Sequence, residues 1–339
     1  CGLSVCVGQI STGQRALVRR SRVLPMLDIG FDAASAISLG RRDHQEDAVA
    51  VDFPTGAGLG FAVISDGMGG HAAGDIASKI VVTEVFSELK LQSGNVSAME
   101  HDLGQILHNA AQSANDCVRH HANTYPGTEG MGATLLAPVF IEDRLYWISV
   151  GDSPLYLFRK GALVRLNEDH SLVPQIDYLV RSGFMGADEG LAHPDRHCLT
   201  SVLAGQSIPQ IDCRAAPLRL RPGDVIIAAS DGLQFLDDTE LVDILRANAD
   251  ASSAHINAEL MGRIAKLDDP DQDNTSLCVI KVLDLAEMEK AAEGGTEEPL
   301  SDVVRPRALR RRRVTVLASM SQAKSRLDAR VSTEGNAMP

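Results

Sequence analysis

Four short acidic signatures stand where apolar runs end: Arg42-Asp-His-Gln-Glu46-Asp47, Ser65-Asp66-Gly67-Met-Gly-Gly-His71, Ser230-Asp231-Gly232 and Asp271-Gln-Asp273-Asn274. Singly, each reads as an ordinary turn, because an aspartate at a strand end more often caps a helix or accepts a backbone N–H than holds a metal. Asp66 and Asp231 alter that balance, since both follow apolar runs (61–64 and 225–229) as Ser-Asp-Gly. Adjacent central strands ending in this way aim carboxylates at one point. Such a cluster stays ionised only beside a counter-charge, and hard oxygen ligands suit Mg²⁺ or Mn²⁺ rather than zinc. Glycine after the aspartate has no Cβ, so its carbonyl can approach a cation, which makes Gly67 a candidate ligand. The run Gly67-Met-Gly-Gly is not read as a phosphate cradle, because no Lys-Ser/Thr follows as a P-loop requires.

The elements that must position these carboxylates are legible as short β-rich runs at 36–39, 60–65, 133–140, 145–150, 154–158, 225–229 and 276–283, each bounded by Gly, Asp or Pro. Ile76, Ile80, Val85, Phe86 and Leu89 recur near i, i+4 spacing, as do Leu103, Ile106, Leu107, Ala110, Ala114, Cys117 and Val118. Both patterns predict amphipathic helices facing a core. Residues 135–166 read as an antiparallel meander with turns at Glu142-Asp143 and Lys160-Gly161. Further helices at 239–248 and 253–266 precede the last strand, so helices and strands are segregated in an α+β pattern rather than alternating in a doubly wound sheet.

The 339 residues carry a formal net charge of −13 with 44% hydrophobic residues, which is ordinary for a globular protein. The acidic surface argues against a nucleic-acid partner. No apolar run approaches the roughly 18 residues of a membrane span. Six cysteines (Cys1, Cys6, Cys117, Cys198, Cys213, Cys278) form no Cys-x-x-Cys pair, which fits neither a zinc site nor a disulfide framework and suggests a cytoplasmic setting. One globular domain is expected over 29–284. Residues 1–28 are basic, with no acidic residue before Asp28, and are read as a disordered extension rather than a targeting signal. Residues 285–339, with the basic run Arg305-Pro-Arg-Ala-Leu-Arg-Arg-Arg-Arg313, are read as a flexible tail with a solvated charge run.

In this order, the signatures resemble the bacterial branch of the metal-dependent protein serine/threonine phosphatases of the protein phosphatase 2C (PPM) type. The resemblance spans roughly residues 37–282. It rests on Arg42…Glu46-Asp47-Ala48, Asp66-Gly-Met-Gly-Gly-His71, Gly130-Met-Gly-Ala-Thr134, Val150-Gly-Asp152-Ser153, Glu168-Asp-His-Ser171, His193-Pro-Asp-Arg196…Leu199-Thr200, Ser230-Asp231-Gly232 and Asp273-Asn274. It implies an αββα sandwich of two antiparallel sheets flanked by helices, with two Mn²⁺ or Mg²⁺ ions at one end. By motif match, Asp66 bridges the ions, Asp231 and Asp273 serve the first, Glu46 and the Gly67 carbonyl serve the second, and Asp152 serves a third. Asp47 and Asn274 are expected behind these ligands, with Asp47 orienting Glu46 or a water. Thr134 and Thr200 are expected to make structural hydrogen bonds.

The implied reaction is hydrolysis of phosphoserine or phosphothreonine by a metal-activated bridging hydroxide, without a phosphoenzyme. Arg42 matches the arginine that grips the phosphoryl group, and a guanidinium suits that bidentate task better than lysine. Met68 stands where animal relatives carry histidine, and His71 is a candidate proton donor or loop anchor. Residues 171–200 correspond to a flap beside the site. Pro154, His197 and Ser201 depart from residues common in relatives, and none of these departures removes a core ligand. The expected partners are a phosphoprotein substrate and a Ser/Thr kinase, and the chain is expected to be a monomer. The rival readings are a catalytically silent regulatory module on the same fold, a phosphatase that switches sigma-factor antagonists, and a metal-dependent nuclease. Intact Glu46, Asp66, Asp231 and Asp273 weigh against the first. The second usually carries fused sensor or membrane domains, and the third needs a basic groove.

Overall fold

The computed structural model describes residues 29–54, 58–70, 72–286 and 314–317. The reading of 1–28 as a disordered extension lies outside these residues. One sheet is ordered β1 (Ile29–Ser38), β11 (Thr275–Asp284), β10 (Val225–Ala229), β7 (Leu155–Arg159), β8 (Ala162–Arg165). The other is ordered β12 (Val314–Leu317), β2 (Asp47–Asp52), β3 (Leu59–Met68), β5 (Leu135–Ile141), β6 (Arg144–Val150), β9 (Asp212–Arg219), with β4 (Gly132–Ala133) paired to β3. All pairings are antiparallel.

Side-chain alternation along the central strands builds three apolar layers. In β3, Ala62 and Ile64 face the opposing sheet, where they meet Ile226 and Ala228 of β10 and Cys278 and Ile280 of β11. Phe61 and Val63 point the other way, onto α1 (Ala72–Gln92) and α3 (Leu103–Thr124). Val225, Ile227 and Ala229 of β10 pack against α6 (Asp238–Ala247) and α7 (Ser253–Leu267). Strands buried on both faces read as continuous apolar runs, which is why these were visible in the sequence. The expected αββα sandwich is the observed architecture, at about 1.5–3 kcal/mol for each large apolar side chain fully removed from water.

Three differences from the sequence reading have physical causes. The stretch 135–166 is not one meander but two hairpins in different sheets: β5–β6 turns at Glu142 (φ 50) and β7–β8 at Lys160 and Gly161 (φ 52 and 80). Between them the chain crosses the sandwich at Gly151, whose φ of 102 a β-carbon would not tolerate against Thr134. Strands β2 and β9 were not anticipated. Pro217 and two arginines, Arg214 and Arg219, obscure β9, which sits at a sheet edge where proline is tolerated. Finally, within the tail read as flexible, Val314–Leu317 pairs with residues 49–52 of β2, capping an edge whose backbone groups would otherwise stand unpaired. The basic run 305–313 lies outside the described residues.

Candidate functional site

The four acidic signatures end on the same rim of the sandwich, because strands from both sheets start or stop there. Asp47 opens β2 opposite Asp66 at the end of β3, and Glu46 precedes it, its carbonyl accepting the Gly67 N–H at 3.0 Å. In the facing sheet, β10 stops at Ala229 immediately before Ser230-Asp231, while β11 begins just after Asp273-Asn274. Asp152 lies on the crossing between β6 and β7. Together Arg42, Glu46, Asp66, Asp152, Asp231 and Asp273 border one cavity of about 600 Å³, with Gly67 and Asn274 also in its wall. His197 and Leu199, from the end of the expected flap, complete one side. The flap itself carries α4 (Val173–Arg181) and α5 (Ala187–Leu191). His71 lies outside the described residues.

Short polar links hold the rim. Asn274 accepts the Glu46 N–H at 2.6 Å through Oδ1 and donates to the Leu39 carbonyl at 2.8 Å through Nδ2, fastening the loop that carries Arg42 and Glu46. The hydroxyl of Thr134 accepts the Asp66 N–H at 3.0 Å and lies 2.8 Å from the hydroxyl of Ser153, joining Asp66 to the neighbour of Asp152. Asp47, buried, accepts from the Ser230 hydroxyl at 2.7 Å, so it anchors the residue before Asp231 rather than orienting Glu46. Thr200 serves through its backbone, its N–H donating to the His170 carbonyl at 2.7 Å.

Two residues here escaped the sequence reading as site components. Gly74 lies on α1, where a β-carbon would come within 2.1 Å of Glu46 Oε2; the only signal is a glycine in the first turn of a helix, which costs about 1 kcal/mol relative to alanine. His170, quoted above only as part of a motif, is buried, and its Nδ1 accepts the Gly151 N–H at 3.1 Å. It thereby ties the Asp152 turn to the foot of the flap.

The electrostatics identify what the cavity lacks. Burial first, then the charges of Asp47 and Asp231, pushes Asp66 well above the usual carboxylate range. Asp231 is raised by burial and by Asp273, and moderated by a hydrogen bond from Asp66. Asp66 and Asp231 therefore stand close enough that each acts on the other's charge. Burial pushes Asp152 up to about 7, with the Asp231 charge adding to it, and Asp47 up to about 8, where the Ser230 hydroxyl opposes the rise. Oδ1 of Asp231 and Oδ1 of Asp47 are buried without a hydrogen-bond partner. Such oxygens are costly unless paired. Divalent cations fit this donor set: several hard oxygens, orphaned lone pairs, and the glycines Gly67 and Gly74 packed against Glu46 without β-carbons. Among the described residues no three His, Cys, Asp or Glu side chains are gathered closely enough to hold an ion alone. Cations that retain several waters do not require it.

A pH dependence follows. Carboxyls whose folded pKa is raised above the unfolded value contribute stability at low pH, which is lost as pH climbs through the folded pKa. In excess chelator, the melting temperature is expected to fall between pH 5 and pH 8, the window set by Asp152 and Asp47, by on the order of 5 °C. Saturating Mn²⁺ should abolish the fall, because the ions bind the deprotonated form. A chelated protein equally stable at both pH values, in a melt followed by circular dichroism, would remove the basis for a strained carboxylate cluster.

Known proteins agree with this arrangement. Residues 38–263 match the family model described as protein phosphatase 2C. The chain is 31% identical over 212 residues to a serine/threonine phosphatase, stp, of Listeria welshimeri, covering 62% of this chain and 81% of that protein. It is 32% identical over 245 residues to serine/threonine protein phosphatase PstP of Mycobacterium tuberculosis, covering 72% of this chain and 43% of the relative, so it spans under half of that protein's length. A crystal structure of a PstP catalytic domain in complex with two manganese ions superposes with a TM-score of 0.58 at 26% identity, covering 76% of this chain and all of that one. With the match running from the end of β1 into α7, across nearly every element that carries the carboxylate rim, the chain belongs to the protein phosphatase 2C family.

Proposed function

We propose that the chain is a metal-dependent protein serine/threonine phosphatase that hydrolyses phosphoserine and phosphothreonine, opposing a Ser/Thr kinase in the cytoplasm. The observation that carries this is the convergence of Glu46, Asp66, Asp152, Asp231 and Asp273, drawn from both sheets, on one cavity beside an orphaned Asp231 oxygen. The residues that would hold two Mn²⁺ or Mg²⁺ ions are Asp66 between them, Asp231 and Asp273 on one side, and Glu46 with the Gly67 carbonyl on the other. Asp152 would serve a third. When bound, such ions supply a water acidified enough to attack phosphorus at neutral pH, and they offset charge on the phosphoryl oxygens.

The chain's own residues do the rest. Asp66, raised by burial and neighbouring charge, would be the carboxylate that gains most from a nearby cation. Asn274 and Thr134 hold Glu46 and the Asp66 backbone in place, so that little reorganisation accompanies the reaction. Arg42, more than half exposed at the mouth, presents a planar donor fork to the substrate phosphate. Met68, exposed beside it, has no proton to deliver to the departing alkoxide. His197 and Leu199 set the flap side of the mouth and so bear on which phosphoproteins fit.

The test is a panel of phosphoserine, phosphothreonine and phosphotyrosine peptides assayed with Mn²⁺ and Mg²⁺ separately. Release of phosphate from the first two, abolished by chelation, is expected. An inert protein at saturating metal would instead favour the silent regulatory module.

A further inference from the structure

We propose that Arg42 is the resident counter-ion of the carboxylate site, and that cation binding releases it from Asp273 to the substrate phosphate, coupling the two binding events through one side chain. The inference rests on the metal-dependent reading above. Its geometric basis is a single carboxylate with both oxygens engaged. Asp273 Oδ2 accepts from Arg42 Nη2 at 2.6 Å, and its Oδ1 accepts the Asn274 N–H at 2.7 Å. An ion drawing on Asp273 therefore competes with the guanidinium for the same lone pairs.

The surroundings make the exchange a matter of one side chain. Arg42 is carried by a loop whose backbone is pinned on both flanks: the Arg41 N–H donates to the Gln272 carbonyl at 2.9 Å, and Asn274 bonds both Leu39 and Glu46. Gly40, with φ of 60, packs against the Asp273 carbonyl so closely that a β-carbon would overlap it. The loop thus cannot retreat from Asp273, but the Arg42 side chain, 56% exposed, can rotate away. Its neighbour Arg41 does not share the role, being paired with Asp268 on the outside.

The charge argument runs in the same direction. The Arg42 charge acts on Asp231 against the push from Asp273, so the guanidinium offsets repulsion within the cluster. Divalent charge placed among the same carboxylates does that job more strongly and also repels the guanidinium. Once displaced, Arg42 stands at the mouth of the cavity with its donors free, and a phosphate dianion is the natural new partner. Binding order follows: cations first, phosphate second.

The experiment measures Mn²⁺ binding to the full chain by calorimetry, without substrate, for wild type, Arg42→Gln and Arg42→Lys. Arg42→Gln removes the competing charge and is expected to bind Mn²⁺ roughly two- to fivefold tighter, the range for a largely exposed ion pair. Arg42→Lys, which retains the charge, should remain within about twofold of wild type on the same scale. Unchanged or weaker binding by Arg42→Gln overturns the proposal while leaving the phosphatase reading intact, and so does Arg42→Lys binding as tightly as Arg42→Gln. A wild-type chain that binds no Mn²⁺ removes both. Matching circular dichroism spectra of the three proteins establish that the comparison is between folded molecules.

Discussion

Asp66→Ala is expected to lower turnover of a phosphoserine peptide by about three orders of magnitude or more, since it removes the carboxylate proposed above to serve both ions. Asp231→Ala should match it. The loss is not an unfolding effect, and the structure supplies a way to demonstrate that. Both carboxyls border the same cavity at the ends of strands from the two sheets, and each is pushed upward by desolvation and neighbouring charge. Removing either relieves repulsion, so each variant should be at least as stable as wild type in chelator at pH 8. Lost activity combined with retained or raised melting temperature is the signature of a ligand rather than a structural residue. Activity above about a tenth of wild type at saturating Mn²⁺, well short of that loss, would show that Asp66 is not at the centre of the reaction.

The second large effect separates two glycines that look alike in the sequence. A β-carbon on Gly67 would lie 2.0 Å from the Gly74 carbonyl oxygen and 2.8 Å from the Glu46 carbonyl, both backbone atoms in a closed corner of β3, α1 and the β2 entrance. Backbone cannot step aside cheaply, so Gly67→Ala is expected to cost about 2–4 kcal/mol of stability as well as metal affinity. On Gly74 the nearest atom is Glu46 Oε2, at 2.1 Å, the far end of a side chain that can swing away, and the nearest backbone atom is the Gly67 carbonyl oxygen at 2.9 Å. Gly74→Ala should therefore cost less stability than Gly67→Ala while moving Glu46 off its position. A loss of about 10- to 100-fold in Mn²⁺ affinity is expected, with activity partly restored at high metal. If titration calorimetry finds Gly74→Ala binding Mn²⁺ like wild type, Glu46 is not a ligand in the position assigned to it.

Much of the fold was legible because its central strands are buried on both faces. The run 225–229 is apolar at every position, and 276–283 is broken only by Ser276 and Lys281. Helices α1 and α3 announced themselves by periodicity for the same reason of one-sided burial. The strands that escaped are those whose burial is decided by neighbours. β2, Asp-Ala-Val-Ala-Val-Asp, is small and flanked by acids, yet it is fully buried between β3 and β12. The turn residues of 135–166 were read correctly and their grouping was not, since a hairpin turn records that two strands pair but not which sheet receives the next one.

The residue types at the site belong to the sequence itself. Serine-aspartate-glycine at the end of an apolar run dictates a carboxylate on a strand end with an approachable carbonyl behind it, and the acidic excess dictates that something cationic must join it. Only the tertiary structure decides that Glu46 and Asp66 from one sheet face Asp231 and Asp273 from the other, that the crossing at Gly151 brings Asp152 to the same rim, and that Arg42 closes on Asp273. Periodicity records which face of an element is buried, whereas convergence depends on the stacking of two sheets whose strands lie more than 200 residues apart in the chain. Local sequence holds no term for that distance, and packing alone resolves it.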